Sequence, residues 1–123
     1  MAINSKSKQA NAAVEAHSIL TNRMADAQQV LGPTLTAALE TQATLISQFM
    51  AAQGFWESDS TGEKIALMHS ELSEALEADR KDLEAEHIPG FTGVEEELAD
   101  VIIRILDFAG HHQLRLGEAL SAK

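Results

Sequence analysis

Residues 60–108 decide the fold of this chain: STGEKIALMHSELSEALEADRKDLEAEHIPGFTGVEEELADVIIRILDF. Two acidic pairs occur in this stretch at the same spacing, Glu71 with Glu74 and Glu97 with Asp100. The members of each pair are three residues apart in a helical pattern, so they share a helix face about one turn apart. A Pro-Gly dipeptide separates the two pairs and predicts a turn. The two helices can therefore fold back as a hairpin that brings four carboxylates together.

The rest of the composition agrees with a helical protein. Ala, Leu and Glu abound, while the 123 residues include two Pro, seven Gly and no Cys. This is typical of one all-α domain, and it excludes disulfides, zinc-thiolate sites and thiol nucleophiles. The formal net charge of −10 makes nucleic acid and anionic membranes poor partners. With no signal-peptide pattern and no apolar run long enough to span a membrane, we expect a cytoplasmic protein.

Local signals place the helix ends. Ser60 with Glu63 and Thr92 with Glu95 have the spacing of capping boxes, which predicts helices over about 60–86 and 93–109. The apolar periodicity predicts further helices over 6–31, 34–53 and 113–122, with a break at Gly32-Pro33 between the first two.

The four carboxylates indicate a metal site. On a helical projection each pair borders the apolar sector instead of opposing it, and carboxylates with water are ligands that suit Mg²⁺, or Mn²⁺. Lys64, Lys81 and Arg104 lie on the same faces and would contact substrate phosphates, although each also fits a surface ion pair. Trp56 fits either the edge of the core or a surface on which a nucleobase stacks.

Two other interpretations remain open. In the first, the acidic face serves only solubility and the chain is a non-catalytic helical module for oligomerisation or interaction. A di-iron protein is the remote alternative, since Glu84 and His87 have one ExxH spacing and the second such motif is missing.

Together these residues resemble the MazG-like, all-α nucleoside triphosphate pyrophosphohydrolase superfamily. Its hallmark is ExxE followed, after a spacer, by ExxD, here Glu71-Leu-Ser-Glu74 and Glu97-Leu-Ala-Asp100. The flanking stretches GFWES, GEKIALMHSELSEALEADRK and GFTGVEEELADVIIRILDFAG are similar too, so the likeness covers about residues 45–122. Ser70 departs from the pattern, because many relatives carry an acidic residue there.

The resemblance implies a helical bundle with an extra N-terminal helix, divided into an extension over 1–32 and a core over 33–123. It implies a Mg²⁺-dependent enzyme that cleaves a (deoxy)nucleoside triphosphate between the α and β phosphates. It also implies a homodimer or homotetramer. The dUTP-cleaving and phosphoribosyl-ATP-cleaving branches of the superfamily are rival interpretations of the substrate. Carried over by position, the metal ligands are Glu71, Glu74, Glu97 and Asp100. Glu71 would also activate the attacking water, Lys81 and Arg104 would bind phosphates, and Trp56 would stack on the base. The base, the sugar and the physiological role cannot be read from the sequence.

Overall fold

The computed structural model describes the backbone of residues 2–58 and 60–123, and the side chains of residues 8–58 and 60–123. The described chain is about 80% helical and forms four helices, which confirms the all-α class. They are α1 (Ala2–Ala52), α2 (Thr61–Lys81), α3 (Gly93–His111) and α4 (Leu116–Ala122). Helix α3 packs against both α1 and α2, and α4 packs against α1. Within the described ranges, no helix is long and apolar enough to cross a membrane.

The expected break at Gly32-Pro33 is wrong, because α1 runs through it as one helix of 51 residues. A proline inside a helix costs about 3 kcal/mol, since it removes a hydrogen bond and crowds the preceding turn. Contacts with α4 on both sides of Pro33 offset this cost. Gln28 Nε2 donates to the Ser121 carbonyl at 2.9 Å, and Thr36 Oγ1 lies 2.9 Å from Ser121 Oγ. The N-terminal extension is therefore not a separate helix, and the boundary between 1–32 and 33–123, which stays a prediction, falls inside α1.

Glycines let the helices approach α1 closely. A Cβ on Gly110 of α3 would lie 2.6 Å from the carbonyl carbon of Ala43 and 2.8 Å from Ser47 Cβ, well inside van der Waals contact. A Cβ on Gly117 of α4 would lie 2.8 Å from the Thr36 carbonyl oxygen. Gly110 was expected to end its helix, but α3 continues to His111, because the glycine serves this close contact.

Helix α2 ends earlier than the expected Glu86. Asp82 takes the left-handed conformation (φ 52°), and its N–H bonds back to the carbonyls of Ala78 and Asp79. The chain then folds back on itself through an antiparallel bridge between Glu84 and Thr92. This turn is the expected hairpin connection, although it occupies residues that the sequence assigned to the helix.

The predicted helix starts are confirmed at both caps. The Thr92 hydroxyl accepts from the Glu95 N–H and the Glu95 carboxylate accepts from the Thr92 N–H, a complete capping box. Ser60 accepts from the Glu63 N–H, which is the first half of the same arrangement. The last helix begins at Leu116, later than the expected residue 113, because Gln113 has a positive φ of 54° and turns the chain.

The core of the single chain is thin. Its buried apolar residues are mostly small, namely Ala43, Ala75, Ala78, Val101, Leu106 and Ala109. Among the described residues no large side chain is completely buried, and many large apolar side chains stay exposed on α1, α2 and α3.

Candidate functional site

The hairpin of α2 and α3 brings three of the four predicted metal ligands together. Each of Glu71, Glu97 and Asp100 offers a carboxylate oxygen, and these three oxygens lie within 4.8 Å of one another. We call this group the acidic triad. Glu71 is 7% exposed and therefore the least accessible member, while Glu97 and Asp100 are half-buried. Three hard oxygen ligands at this separation can hold one divalent cation.

The fourth predicted ligand, Glu74, lies beside the acidic triad instead of within it. Its side chain is exposed and accepts a hydrogen bond from Ser70 at 3.1 Å, so Ser70 is not idle at this position. Glu74 and Glu97 line a small cavity of about 250 Å³ on the flank of the hairpin. The negative charge of Glu74 still acts on Glu97, because it helps to raise the pKa of Glu97.

The electrostatics of the acidic triad favour a positive charge. Burial raises the pKa of Glu97, and the neighbouring carboxylates of Glu74, Glu71 and Asp100 raise it further. Burial also raises the pKa of Asp100, with a further contribution from Glu71, while Arg104 acts in the opposite direction. Both groups hold protons more tightly than an isolated carboxylate, because burial and the neighbouring carboxylates both disfavour the charged form. A bound cation would relieve the repulsion between these carboxylates.

Arg104 links the acidic triad to a cavity. Its Nε donates to Glu71 Oε1 in a part-buried ion pair. With Asp100 it also lines a cavity of about 540 Å³, whose remaining walls are apolar residues of α1, the following turn and α3. These residues are Leu45, Ile46, Phe49, Met50, Phe55 and Ile103. The volume is that of a small-molecule site, and Asp100 and Arg104 are its charged lining residues.

Trp56 contacts residues of α3, and its side chain does not line the apolar cavity. Its indole Nε1 donates to Asp107 Oδ1 at 2.9 Å, and its ring is stacked on His111 with centroids 3.5 Å apart. Lys64 Nζ lies 4.6 Å from the Trp56 ring centroid and also donates to the Phe55 carbonyl. Trp56 and Lys64 thus form a cluster beside the apolar cavity. Phe55 lines that cavity, and Trp56 and Lys64 do not. A role for either residue in substrate binding stays a prediction.

Lys81 lies far from the acidic triad along α2. Ten residues separate it from Glu71, about 15 Å along the helix axis. Its ammonium pairs with Glu77 one turn earlier, and both side chains are largely exposed. The described contacts of Lys81 are those of a surface ion pair, and its predicted phosphate contact stays untested.

Sequence reasoning missed the role of Glu96. This buried carboxylate accepts from the backbone N–H groups of Glu86 at 2.7 Å and His87 at 3.0 Å, and it lies 3.2 Å from His87 Nδ1. Burial acts to raise the pKa of Glu96, but these donors outweigh it, so the pKa falls below its ordinary value. Glu96 therefore ties the α2–α3 turn to the first turn of α3, directly beside the acidic triad.

The run Glu95-Glu96-Glu97 shows why Glu96 was overlooked. Successive residues point about 100° apart on a helix, so the three carboxylates take three directions. Glu95 caps the helix, Glu96 binds the turn, and Glu97 joins the acidic triad. The available signal was the position of Glu96 next to a turn whose backbone donors need acceptors.

Comparison of the chain with protein-family models, with curated proteins and with solved structures finds no match in any of the three. Function is therefore inferred from the residues of the site and from the resemblance in their pattern.

Proposed function

We propose that this chain is a metal-dependent nucleoside triphosphate pyrophosphohydrolase of the MazG-like type, which cleaves the bond between the α and β phosphates and forms a nucleoside monophosphate and pyrophosphate. The observation that carries the proposal is the convergence of Glu71, Glu97 and Asp100 from two helices, with Asp100 also lining an apolar cavity. A carboxylate group for a cation beside a pocket for a flat, largely apolar ring suits a nucleotide.

The donor chemistry fits Mg²⁺ or Mn²⁺. The acidic triad offers oxygen ligands only, and burial together with the neighbouring carboxylates raises the pKa values of Glu97 and Asp100. Glu71, Glu97 and Asp100 would hold the ion, with Glu74 near enough to assist through water. When bound, the ion supplies neutralisation of phosphate charge and lowers the pKa of a bound water.

The chain's own groups would position the reaction. Glu71, the least exposed carboxylate of the acidic triad, would orient the attacking water and accept its proton. The water oxygen would then bond to the α phosphorus while the bond to the bridging oxygen breaks and pyrophosphate leaves. Arg104, which lies between Glu71 and the cavity, would contact a phosphate oxygen.

The apolar cavity is proposed to take the base. Its volume of about 540 Å³ falls in the range of ligand sites, and Phe49 and Phe55 offer aromatic surface. We also propose that the active form is a homodimer or homotetramer, because the single chain leaves large apolar side chains exposed on three helices. Within the superfamily, dUTP and phosphoribosyl-ATP are the rival substrates.

A second candidate is a non-catalytic interaction module. The ion pair between Arg104 and Glu71 favours it, because an internal counter-ion for the most buried carboxylate is what a structural salt bridge requires. The two candidates differ in their response to metal. A catalytic site predicts that Mg²⁺ raises the melting temperature and that Glu71→Gln abolishes this increase, whereas the module predicts no increase.

The direct test measures pyrophosphate and monophosphate released from a panel of nucleoside triphosphates, with Mg²⁺ and with EDTA. We expect metal-dependent release from the natural chain and at least a hundredfold slower release from Glu97→Gln. Asp79→Asn is the matched control, since it neutralises an exposed carboxylate of α2 that lies outside the acidic triad. Release of orthophosphate and a diphosphate would show that a different bond is cleaved. Absence of both turnover and metal stabilisation would refute the enzyme.

A further inference from the structure

The N-terminal half of α1 projects from the rest of the chain. Every residue from 8 to 31 is exposed, and the first buried residue of the helix is Gly32. One side-chain hydrogen bond, from Gln28 to the Ser121 carbonyl, ties this segment to α4 near its end. The projecting segment lies outside residues 45–122, which carry the family resemblance, so the proposed chemistry does not explain it.

The projecting segment carries an apolar stripe along one side. At about 100° per residue, measured from Leu31, the residues within about 40° are those spaced three or four apart along the helix. From Ala13 to Leu35 they are Ala13, His17, Leu20, Met24, Ala27 and Leu35, and together with Leu31 they form what we call the α1 stripe. Its large members are strongly exposed: Leu20 is 59%, Met24 72%, Leu31 62% and Leu35 49% accessible.

The α1 stripe is long and regularly spaced. It spans about 33 Å of helix, and its steps average about 3.7 residues, close to the natural period of a helix. A repeat of this period keeps the stripe on one side of a nearly straight helix. A second straight helix can therefore contact it along its whole length.

The charges around the α1 stripe distinguish it from the rest of the surface. The four charged side chains of residues 8–31 are two basic and two acidic, Lys8, Glu15, Arg23 and Asp26, and all of them project about 80° or more from the direction of Leu31. The chain as a whole carries −10, and 17 of its 19 acidic residues lie beyond residue 39. Residues 8–31 carry no net charge, so two copies of this segment do not repel each other.

We propose that the α1 stripe packs against the α1 stripe of a second copy of this chain. A second copy brings an apolar stripe of equal length and no net charge, so nothing charged is buried in the contact. A strongly charged protein would find no complementary charge here. An anionic membrane would find only Lys8 and Arg23 to attract it, which is few for an interfacial helix. The inference does not depend on the proposed enzymatic activity.

The test is the mass of the full chain in solution, measured by sedimentation equilibrium between 1 and about 100 μM. For the natural chain we expect at least twice the 13.3 kDa of one copy. Leu20→Glu combined with Met24→Glu places two charges on the α1 stripe and should weaken this association at least about tenfold, because each would be buried without a partner.

The matched control combines Ile19→Glu with Val30→Glu. Both are exposed apolar residues of the same segment, and both point about 100–120° away from Leu31. The control should keep the mass of the natural chain, and circular dichroism should show the same helix content in all three proteins. A natural chain that is monomeric throughout, equal dissociation by both double variants, or a mass unchanged by Leu20→Glu with Met24→Glu would each overturn the proposal.

Discussion

Replacing Gly110 with alanine should destabilise the fold, because α3 contacts the backbone of α1 at this residue. The added Cβ would lie 2.6 Å from the Ala43 carbonyl carbon, 2.8 Å from Ser47 Cβ and closer still to the Ala43 carbonyl oxygen. Backbone atoms cannot move aside as a flexible side chain does, so α1 and α3 must separate.

The size of the effect follows from two opposing terms. Overpacking of this kind costs up to about 3 kcal/mol. In the opposite direction, alanine stabilises the helix by about 1 kcal/mol relative to glycine, because its helix propensity is higher. The expected net loss is about 2 kcal/mol, which for a domain of this size lowers the melting temperature by about 8 °C.

The assay is thermal and urea unfolding followed by circular dichroism, with Gly62→Ala as the matched control. Gly62 is also helical, in the first turn of α2, but an added Cβ would meet nothing within 4 Å. The control should therefore be as stable as the natural chain or slightly more stable. If Gly110→Ala behaved like Gly62→Ala, the close packing of α1 on α3, and with it the cavity between them, would be refuted.

Two further predictions concern neighbouring carboxylates of α3, both measured in EDTA. Glu96→Gln should lower the melting temperature, because the charged acceptor of the turn is lost. Glu97→Gln should leave the melting temperature unchanged or raise it, because it relieves repulsion between carboxylates. A lower melting temperature for Glu97→Gln than for Glu96→Gln would contradict the assigned contacts. The stability advantage of Glu97→Gln over the natural chain should shrink as the pH falls from 7 towards 4.5. The pKa of Glu97 is raised in the fold, so its stabilising contribution is present below the unfolded pKa of about 4.5 and is lost as the pH rises through the folded value. A gap that widens on acidification would show that the charged form of Glu97 is favoured by the fold.

Local sequence signals determined much of this protein. The two acidic pairs, the caps at Ser60 and Thr92 and the Pro-Gly turn all act within a few residues, so they can be read without the fold. They predicted an all-α chain, a hairpin of two helices and the meeting of four carboxylates, and the structure has the first two and brings together three of the four carboxylates, Glu71, Glu97 and Asp100.

Only the tertiary structure decided the features that depend on contacts between distant residues. Helix α1 continues through Pro33 because α4 holds it on both sides. Glu74 lies outside the acidic triad and Glu96 is buried under the turn, although both belong to acidic runs that look alike in sequence. Whether a carboxylate joins the acidic triad, accepts from backbone N–H groups or faces solvent is set by the angle at which two helices pack. That angle depends on where small residues such as Gly110 let the helices approach, at positions far apart in the chain.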